Sequence, residues 1–177
     1  MNGSERNKLC ECGSGMKAKR CDCSAARALI LTYDNPALKI VSTPLEREDV
    51  LGFLQLMKRA CRASKYGIGL AANQIGVTKR AAWIDVDRIN GFFMLNPTIT
   101  RATDPRVGRE ECLSYPGVSV AVERFTEIKV FYYTELWEPR ERLFTDLSAV
   151  CIQHEIDHLD GICKVGDEWR MLGVQMG

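Results

Sequence analysis

The chain has 177 residues, 46% of them hydrophobic, and a formal net charge of +1. A chain of this length can bury one substantial core, and its near-neutral charge argues against a membrane surface or sequence-specific nucleic acid as the main partner. No apolar run approaches the ~20 residues that span a bilayer, and the N-terminus lacks the apolar segment of a secretory signal. Eight cysteines without such a signal favour a reducing compartment, so we expect a cytoplasmic protein or one inside an organelle.

The first thirty residues differ from the rest of the chain. They hold four of the eight cysteines and six Lys or Arg residues against three Asp or Glu residues. The four are Cys10, Cys12, Cys21 and Cys23. Two such pairs around a glycine-rich turn suit tetrahedral zinc, so the spacing predicts a zinc knuckle over residues 1–27. The alternative is a flexible tail that happens to carry cysteines.

The remainder predicts a mixed α+β domain over residues 28–165, followed by a short tail over residues 166–177. Thr43 as N-cap and Pro44 at the first helical position predict the start of a helix, and apolar residues at helical spacing continue it to about Ser64. A glycine-punctuated loop with the sequence YGIGLAANQIGV follows this helix.

Four strand-like segments rich in β-branched and aromatic residues come next. They cover residues 80–86, 92–95, 117–123 and 126–134. The last two are joined by a short turn and predict a hairpin. Thr145 or Asp146 can then cap a final helix that ends near Leu159. The fold class is therefore α+β, and we expect mixed antiparallel sheets packed around this final helix.

The final helix carries the sequence HEIDH at residues 154–158, which fits the H-E-x-x-H pattern of two metal-binding histidines and a general base. The chain has only two histidines, and both are here. Leu147 and Cys151 lie on the same helical stripe, so we expect the histidines at the inner edge of a buried face. The alternative is a pair of incidental surface histidines on an amphipathic helix.

A catalytic metal usually has three protein ligands, so a third ligand is needed. Zinc peptidases of the H-E-x-x-H type take it from downstream, where this chain offers only the acids Asp160, Asp167 and Glu168. The other candidates are cysteines outside the N-terminal group: Cys61, Cys112, Cys151 and Cys163. Cys112 is favoured because charged residues and a turn signal flank it, which is a poor setting for a core cysteine.

Three separated motifs resemble those of peptide deformylases, in the same order. Residues 67–74 read GIGLAANQ, as in G-x-G-L-A-A-x-Q; residues 111–114 read ECLS, as in the last part of E-G-C-L-S; residues 153–158 read QHEIDH, as in Q-H-E-x-D-H. The resemblance spans about residues 33–161. The chain departs from the family at Glu111, where the family has glycine, and this change bears on substrate positioning rather than on the metal ligands.

The resemblance implies an enzyme that removes the formyl group from the N-terminal formylmethionine of nascent proteins and releases formate. Its metal would be held by Cys112, His154 and His158. The ion in this family is typically Fe²⁺, which Zn²⁺ or Ni²⁺ can replace. Glu155 would accept and return the proton during hydrolysis.

The resemblance also assigns roles around the substrate. The side-chain amide of Gln74 and the backbone N–H of Leu113 would stabilise the oxyanion. The pocket for the methionine side chain would be formed by Ile68, Val150 and Cys151, while Gly69 would offer backbone contacts to the extended peptide.

The N-terminal cysteine pattern resembles the SEC-C motif, a zinc-binding docking element. Many bacterial deformylases dock on the ribosome through a long basic C-terminal helix, and this chain ends sixteen residues after Gly161 without a basic run. We therefore expect the knuckle to contact the ribosome instead.

The alternative to a deformylase is a non-catalytic zinc module with an inactive enzyme domain. It predicts the loss of Glu155 or Cys112, and both are present.

Overall fold

The computed structural model describes residues 8–10, 12, 15–21, 23–49 and 51–171, with the side chains of residues 19 and 168–171 left out. Parts of the predicted zinc knuckle and of the predicted tail lie outside these residues. The helices are α1 (Cys23–Arg27), α2 (Gly52–Ala63), α3 (Asp146–Leu159) and α4 (Lys164–Met171). The strands are β1 (Gly69–Ala71), β2 (Ala81–Ile84), β3 (Phe92–Cys112), β4 (Tyr115–Tyr133) and β5 (Pro139–Thr145).

The five strands form one antiparallel sheet in the order β1-β2-β3-β4-β5. Helices cover both faces of its central part. Successive residues of a strand point to opposite faces, so each strand contributes side chains to both layers of the core. The face against α3 buries Ala82, Ile84, Met94, Ile128 and Val130. The face against α2 buries Leu70, Ala81, Trp83, Phe93 and Leu95. The predicted α+β fold, with antiparallel strands packed on the H-E-x-x-H helix, is confirmed.

The predicted hairpin within residues 117–134 is wrong, because β4 runs through this segment without a break. The chain reverses instead between β3 and β4, where the paired residues Cys112 and Tyr115 flank a two-residue turn. Arg124, at the predicted turn, is buried and binds carboxylates on β3 and α3, which holds the strand straight through this point. The part of β3 after Leu95, here called its outer part, was not predicted as a strand, because its residues are mostly exposed and polar.

The predicted start of α2 is also wrong. The Asn96 side chain accepts a hydrogen bond from the Leu45 N–H at 2.8 Å and donates one to the Leu45 carbonyl at 2.9 Å. This clamp keeps the chain around Thr43 extended, so the helix begins only at Gly52. The predicted end is confirmed, since Ser64 is the C-cap.

The predicted extent of the final helix is confirmed, since α3 spans Asp146–Leu159 with Thr145 at the N-cap position. Of the expected inner stripe, Cys151 and His158 are buried, but Leu147 is 53% exposed. The stripe prediction fails there because Leu147 faces the mouth of a cavity rather than the sheet. No helix in the described part of the chain is both long and apolar enough to cross a membrane.

Candidate metal centre and cavity

One thiol and two imidazoles converge where the tip of the β3–β4 hairpin meets α3. The candidate ligand atoms of Cys112, His154 and His158 all lie within 4.8 Å of one another. The Cys112 Sγ is 3.2 Å from the His158 Nε2, and the two imidazole centroids are 4.9 Å apart. Thiolate and imidazole donors suit transition metals such as zinc and iron, so these residues fit a metal ion.

The other candidate cysteines face different partners. The Cys61 thiol donates to the Gly69 carbonyl at 3.5 Å, and the Cys151 thiol donates to the Ile68 carbonyl at 3.6 Å. Cys163 lies beside Cys112, and a hydrogen bond between the two thiols raises the pKa of Cys112. The Cys163 sulfur nevertheless lies outside the group that Cys112 forms with the histidines.

The downstream acids do not complete a peptidase site. Asp160 forms an ion pair with Arg80 at 2.5 Å, and Asp167 forms one with Lys39 at 2.6 Å. The Glu168 side chain lies outside the described part of the chain. The arrangement therefore favours the upstream cysteine as the third ligand.

A buried carboxylate that the sequence analysis missed orients the first histidine. The His154 Nδ1 donates to the Glu110 Oε2 at 2.9 Å, which leaves the other ring nitrogen for a metal. The Arg124 guanidinium donates to both oxygens of Glu110, at 2.7 and 3.0 Å, and also to Asp157 on α3. Had the outer part of β3 been recognised as a strand, its alternation would have placed Glu110 on the same face as Cys112.

The surroundings of Glu110, His158 and Glu155 shift the pKa of each group in the direction that suits its place in the site. Burial would raise the pKa of Glu110, but hydrogen bonds from His154 and Arg124 lower this pKa to about 2, so the carboxylate stays charged. Burial lowers the pKa of His158 well below its usual value, and metals bind the neutral imidazole. Burial raises the pKa of Glu155 to about 7, near the value that favours proton transfer at neutral pH.

A cavity of about 890 Å³ opens onto this centre. Predicted site residues line it together: Ile68, Gly69, Gln74, Cys112, Leu113, Val150, Cys151, His154 and Glu155. His158 is 1% exposed and is not part of the lining. Glu111 lines the cavity as well, and its side chain is exposed, so this departure from the family pattern lies at the mouth.

The Gln74 amide is held next to Cys112. Its Oε1 accepts a hydrogen bond from the Ala71 N–H at 2.8 Å. Its Nε2 donates to the Ser114 Oγ at 3.1 Å and lies 3.7 Å from the Cys112 Sγ. Both ends of the amide are therefore fixed, and its donor end points toward the Cys112 thiol.

Gly69 is required by close packing rather than by a turn. A Cβ built on it would lie 2.4 Å from the Glu155 Oε1 and 2.6 Å from the Cys151 Sγ. Gly67, two residues earlier, would place a Cβ 2.3 Å from the Cys61 carbonyl oxygen. The two glycines therefore let this loop lie directly against α2 on one side and α3 on the other.

The N-terminal cysteines form a second cluster. The Cys10 and Cys23 sulfurs are 3.3 Å apart, as are those of Cys12 and Cys21, and all four lie within 4.8 Å of one another. The four predicted zinc ligands are thus brought together. Taken with the α3 centre and its buried glutamate, the fold defines a metal-dependent hydrolase with an additional cysteine cluster.

Comparison with known proteins identifies the family. A family model described as polypeptide deformylase matches residues 28–167. A peptide deformylase from Phenylobacterium zucineum is 41% identical over 140 residues, which cover 75% of this chain and 82% of that protein.

Two solved structures of peptide deformylases are similar in fold to this chain. A peptide deformylase from Synechococcus elongatus in complex with actinonin has a TM-score of 0.74 at 29% identity, covering 83% of this chain and 88% of that one. A class I type b peptide deformylase from Acinetobacter baumannii bound to Met-Ala-Ser has a TM-score of 0.68 at 30% identity, covering 77% and 94%.

The chain therefore belongs to the polypeptide deformylase family, which confirms the resemblance seen in the sequence. It is a metal-dependent hydrolase that removes the N-formyl group from nascent peptides. The alternatives of an H-E-x-x-H peptidase and of a non-catalytic zinc module are set aside.

Substitution of Gly69 by alanine tests the close packing of this loop. We expect Gly69→Ala to lower kcat/KM by about 10²-fold, because the added Cβ must displace the Glu155 carboxylate or the Cys151 side chain. Gly108→Ala is the matched control, since a Cβ there meets nothing within 4 Å. Steady-state deformylation assays measure both variants, and wild-type activity in Gly69→Ala would contradict the account.

Proposed function

We propose that the enzyme acts on formylmethionyl peptides with Cys112, His154 and His158 as its metal ligands. The observation that carries this proposal is the convergence of these three groups within 4.8 Å at the cavity, beside the buried Glu155. We further propose Fe²⁺ as the native ion, with Zn²⁺ or Ni²⁺ as functional substitutes. When bound, the ion supplies Lewis-acid activation of water and of the formyl oxygen.

Glu155 is the proposed general base and general acid. Its carboxylate is buried and lines the cavity, and its Oε2 has no hydrogen-bond partner among the described residues. An unpaired carboxylate oxygen with a raised pKa can take a proton from the attacking water. The same group can then protonate the departing amine, so that formate and a free N-terminus are released.

The Gln74 amide and the Leu113 N–H are the proposed oxyanion donors. Support comes from the fixed Gln74 amide, whose Nε2 is directed toward Cys112, and from the position of Leu113 in the turn directly after that cysteine. Each such donor typically contributes about 3 kcal/mol to stabilising the transition state.

Ile68, Val150 and Cys151 are proposed to bind the methionine side chain. All three line the cavity, and Cys151 and Ile68 are in contact through the Cys151 thiol. Gly69 lies on β1, an edge strand of the sheet, so its backbone is placed to contact an extended peptide. The binding of Met-Ala-Ser by the Acinetobacter baumannii relative supports a peptide of this kind as the test substrate.

The test is formate release from formyl-Met-Ala-Ser. We expect Glu155→Gln to lower kcat by about 10²- to 10⁴-fold while the metal content stays at the wild-type level, because only proton transfer is removed. Glu123→Gln, a change to an exposed carboxylate on β4, is the control and should leave kcat unchanged. Undiminished formate release by Glu155→Gln would overturn the proposed role.

We also propose that residues 1–27 form a zinc knuckle with Cys10, Cys12, Cys21 and Cys23 as ligands, ahead of a catalytic domain over residues 28–165 and a tail over residues 166–177. Four thiolates within reach of one ion suit structural zinc. The helix α4 crosses the boundary between domain and tail. We propose the cytoplasm as the location and the ribosome as the partner that the knuckle contacts.

Metal content and ribosome binding test the knuckle. We expect the purified chain to hold two metal ions and Cys10→Ser/Cys12→Ser to hold one, as measured by native mass spectrometry, because two of the four knuckle ligands are lost. Ribosome co-sedimentation should fall in this variant and persist in Arg101→Ser, a change to an exposed basic side chain outside the knuckle. Equal co-sedimentation of all three proteins would contradict the docking role.

A further inference from the structure

A short segment over residues 31–33, near the start of the catalytic domain, follows the turns that lead from the cysteine cluster and hydrogen-bonds to two loops of that domain. The Leu31 N–H donates to the Gln74 carbonyl at 2.7 Å, and the Tyr33 N–H donates to the Ser114 carbonyl at 3.0 Å. The Gln74 Nε2 in turn donates to the Ser114 Oγ at 3.1 Å. One strap therefore holds the loop that carries Gln74 against the turn that carries Leu113 and Ser114.

Side chains anchor the strap on both sides. The Tyr33 ring packs 6.3 Å from the Tyr115 ring, within the apolar cluster that also contains Cys112. Ile30 packs against the core beneath α2. The residues at both ends of the strap are thus packed against the core. A displacement of the strap backbone would therefore move the Gln74 loop and the hairpin turn relative to each other.

A run of backbone hydrogen bonds leads from the cysteine cluster to the residue before the strap. Cys23, the last ligand of the cluster, is the first residue of α1. After α1 ends at Arg27, the bonds Ala28 N–H to Ser24, Leu29 N–H to Ala26 and Ile30 N–H to Arg27 form turns that lead to Ile30, the residue before Leu31. An isolated helix of five residues is not stable in water, so α1 depends on its packing against α2, where Ala26 is buried, and on what holds its start at Cys23.

We infer that residues 31–33 are a positioning element for the oxyanion donors and that metal occupancy of the cysteine cluster controls it. This inference rests on the proposed knuckle and on the proposed role of Gln74. A bound ion crosslinks residues 10–23 and fixes the start of α1. Loss of the ion frees α1, loosens the strap and lets the Gln74 amide drift from its place beside Cys112.

The expected kinetic signature is a loss in kcat with little change in KM. The strap bonds to Gln74 and Ser114, which lie beside the reacting centre, and not to the proposed methionine pocket at Ile68, Val150 and Cys151. Ground-state binding of the peptide should therefore survive. A donor displaced by a fraction of an ångström loses part of the ~10²-fold effect of a complete donor, so we expect a fall of about tenfold in kcat.

The experiment compares full-length wild type with Cys10→Ser/Cys12→Ser. Formate release gives kcat and KM, native mass spectrometry gives metal content, and amide hydrogen exchange reports on Leu31 and Tyr33. In the variant, the N-terminal ion should be lost and the catalytic ion kept. Exchange at Leu31 and Tyr33 should quicken at least about tenfold, as for local opening, while Met94 in the sheet core stays protected. Arg101→Ser, a change to an exposed side chain outside the knuckle and the strap, should behave as wild type.

A second variant separates the strap from the knuckle's own folding. Two glycines inserted between Leu29 and Ile30 leave all eight cysteines in place and interrupt the hydrogen-bonded path. We expect this variant to keep both ions and to show the same fall in kcat. Adding Cys10→Ser/Cys12→Ser to it should then change kcat no further.

Two results would overturn the inference. One is an unchanged kcat with unchanged exchange at Leu31 and Tyr33 after the N-terminal ion is lost. The other is a wild-type chain that binds only one ion. Absence of formate release from the wild type would contradict the proposed function instead, and amide exchange would still decide whether the strap responds to the cluster.

Discussion

The buried pairing of Arg124 with Glu110 is the interaction on which the site depends. Burying charges costs several kcal/mol per ion unless every charge finds partners with good geometry. Here Glu110 accepts three hydrogen bonds, two from Arg124 and one from His154, and Arg124 also reaches Asp157. The network joins β3, β4 and α3, and each of its members is satisfied only when the three elements are in one register.

That register explains how Cys112 comes together with His154 and His158, which lie far from it in the sequence. Cys112 lies two residues after Glu110 on β3, so fixing the Glu110 side chain also fixes the end of the strand that carries the thiol. His154 is held by the same carboxylate, and His158 follows one helical turn later on α3. The convergence of Cys112 with the two histidines is therefore a consequence of the charge network, with the helix supplying the spacing of the two histidines.

The sequence predicts correctly those features that depend on residues close together in the chain. The extent of α3 was predicted from residue types common at helix ends, although Thr145 makes no side-chain capping hydrogen bond in the structure. The spacing of its histidines follows from helical periodicity, and the four N-terminal cysteines are close in sequence as well as in space. The outer half of β3 was missed because strand prediction rests on apolar alternation, and this part of the strand is exposed and polar.

Long-range contacts account for the remaining errors. The helix signal at Thr43 was overridden by Asn96, about fifty residues away, whose side chain clamps the backbone of Leu45. Gly67 and Gly69 look like turn glycines in the sequence, but they are needed because α2 and α3 leave no room for a Cβ. Nothing local to these positions reports such partners, so they became visible only in the structure.

The metal affinity of Glu110→Gln tests most directly whether the charge network sets the metal centre. The amide keeps the size of the side chain but removes its charge, so His154 and Arg124 lose their shared anion. With Zn²⁺ as the probe and a competing chelator, we expect binding at the proposed catalytic site to weaken by about 10- to 100-fold in Glu110→Gln and to stay unchanged in Glu123→Gln. Wild-type affinity in a folded Glu110→Gln protein would contradict the account.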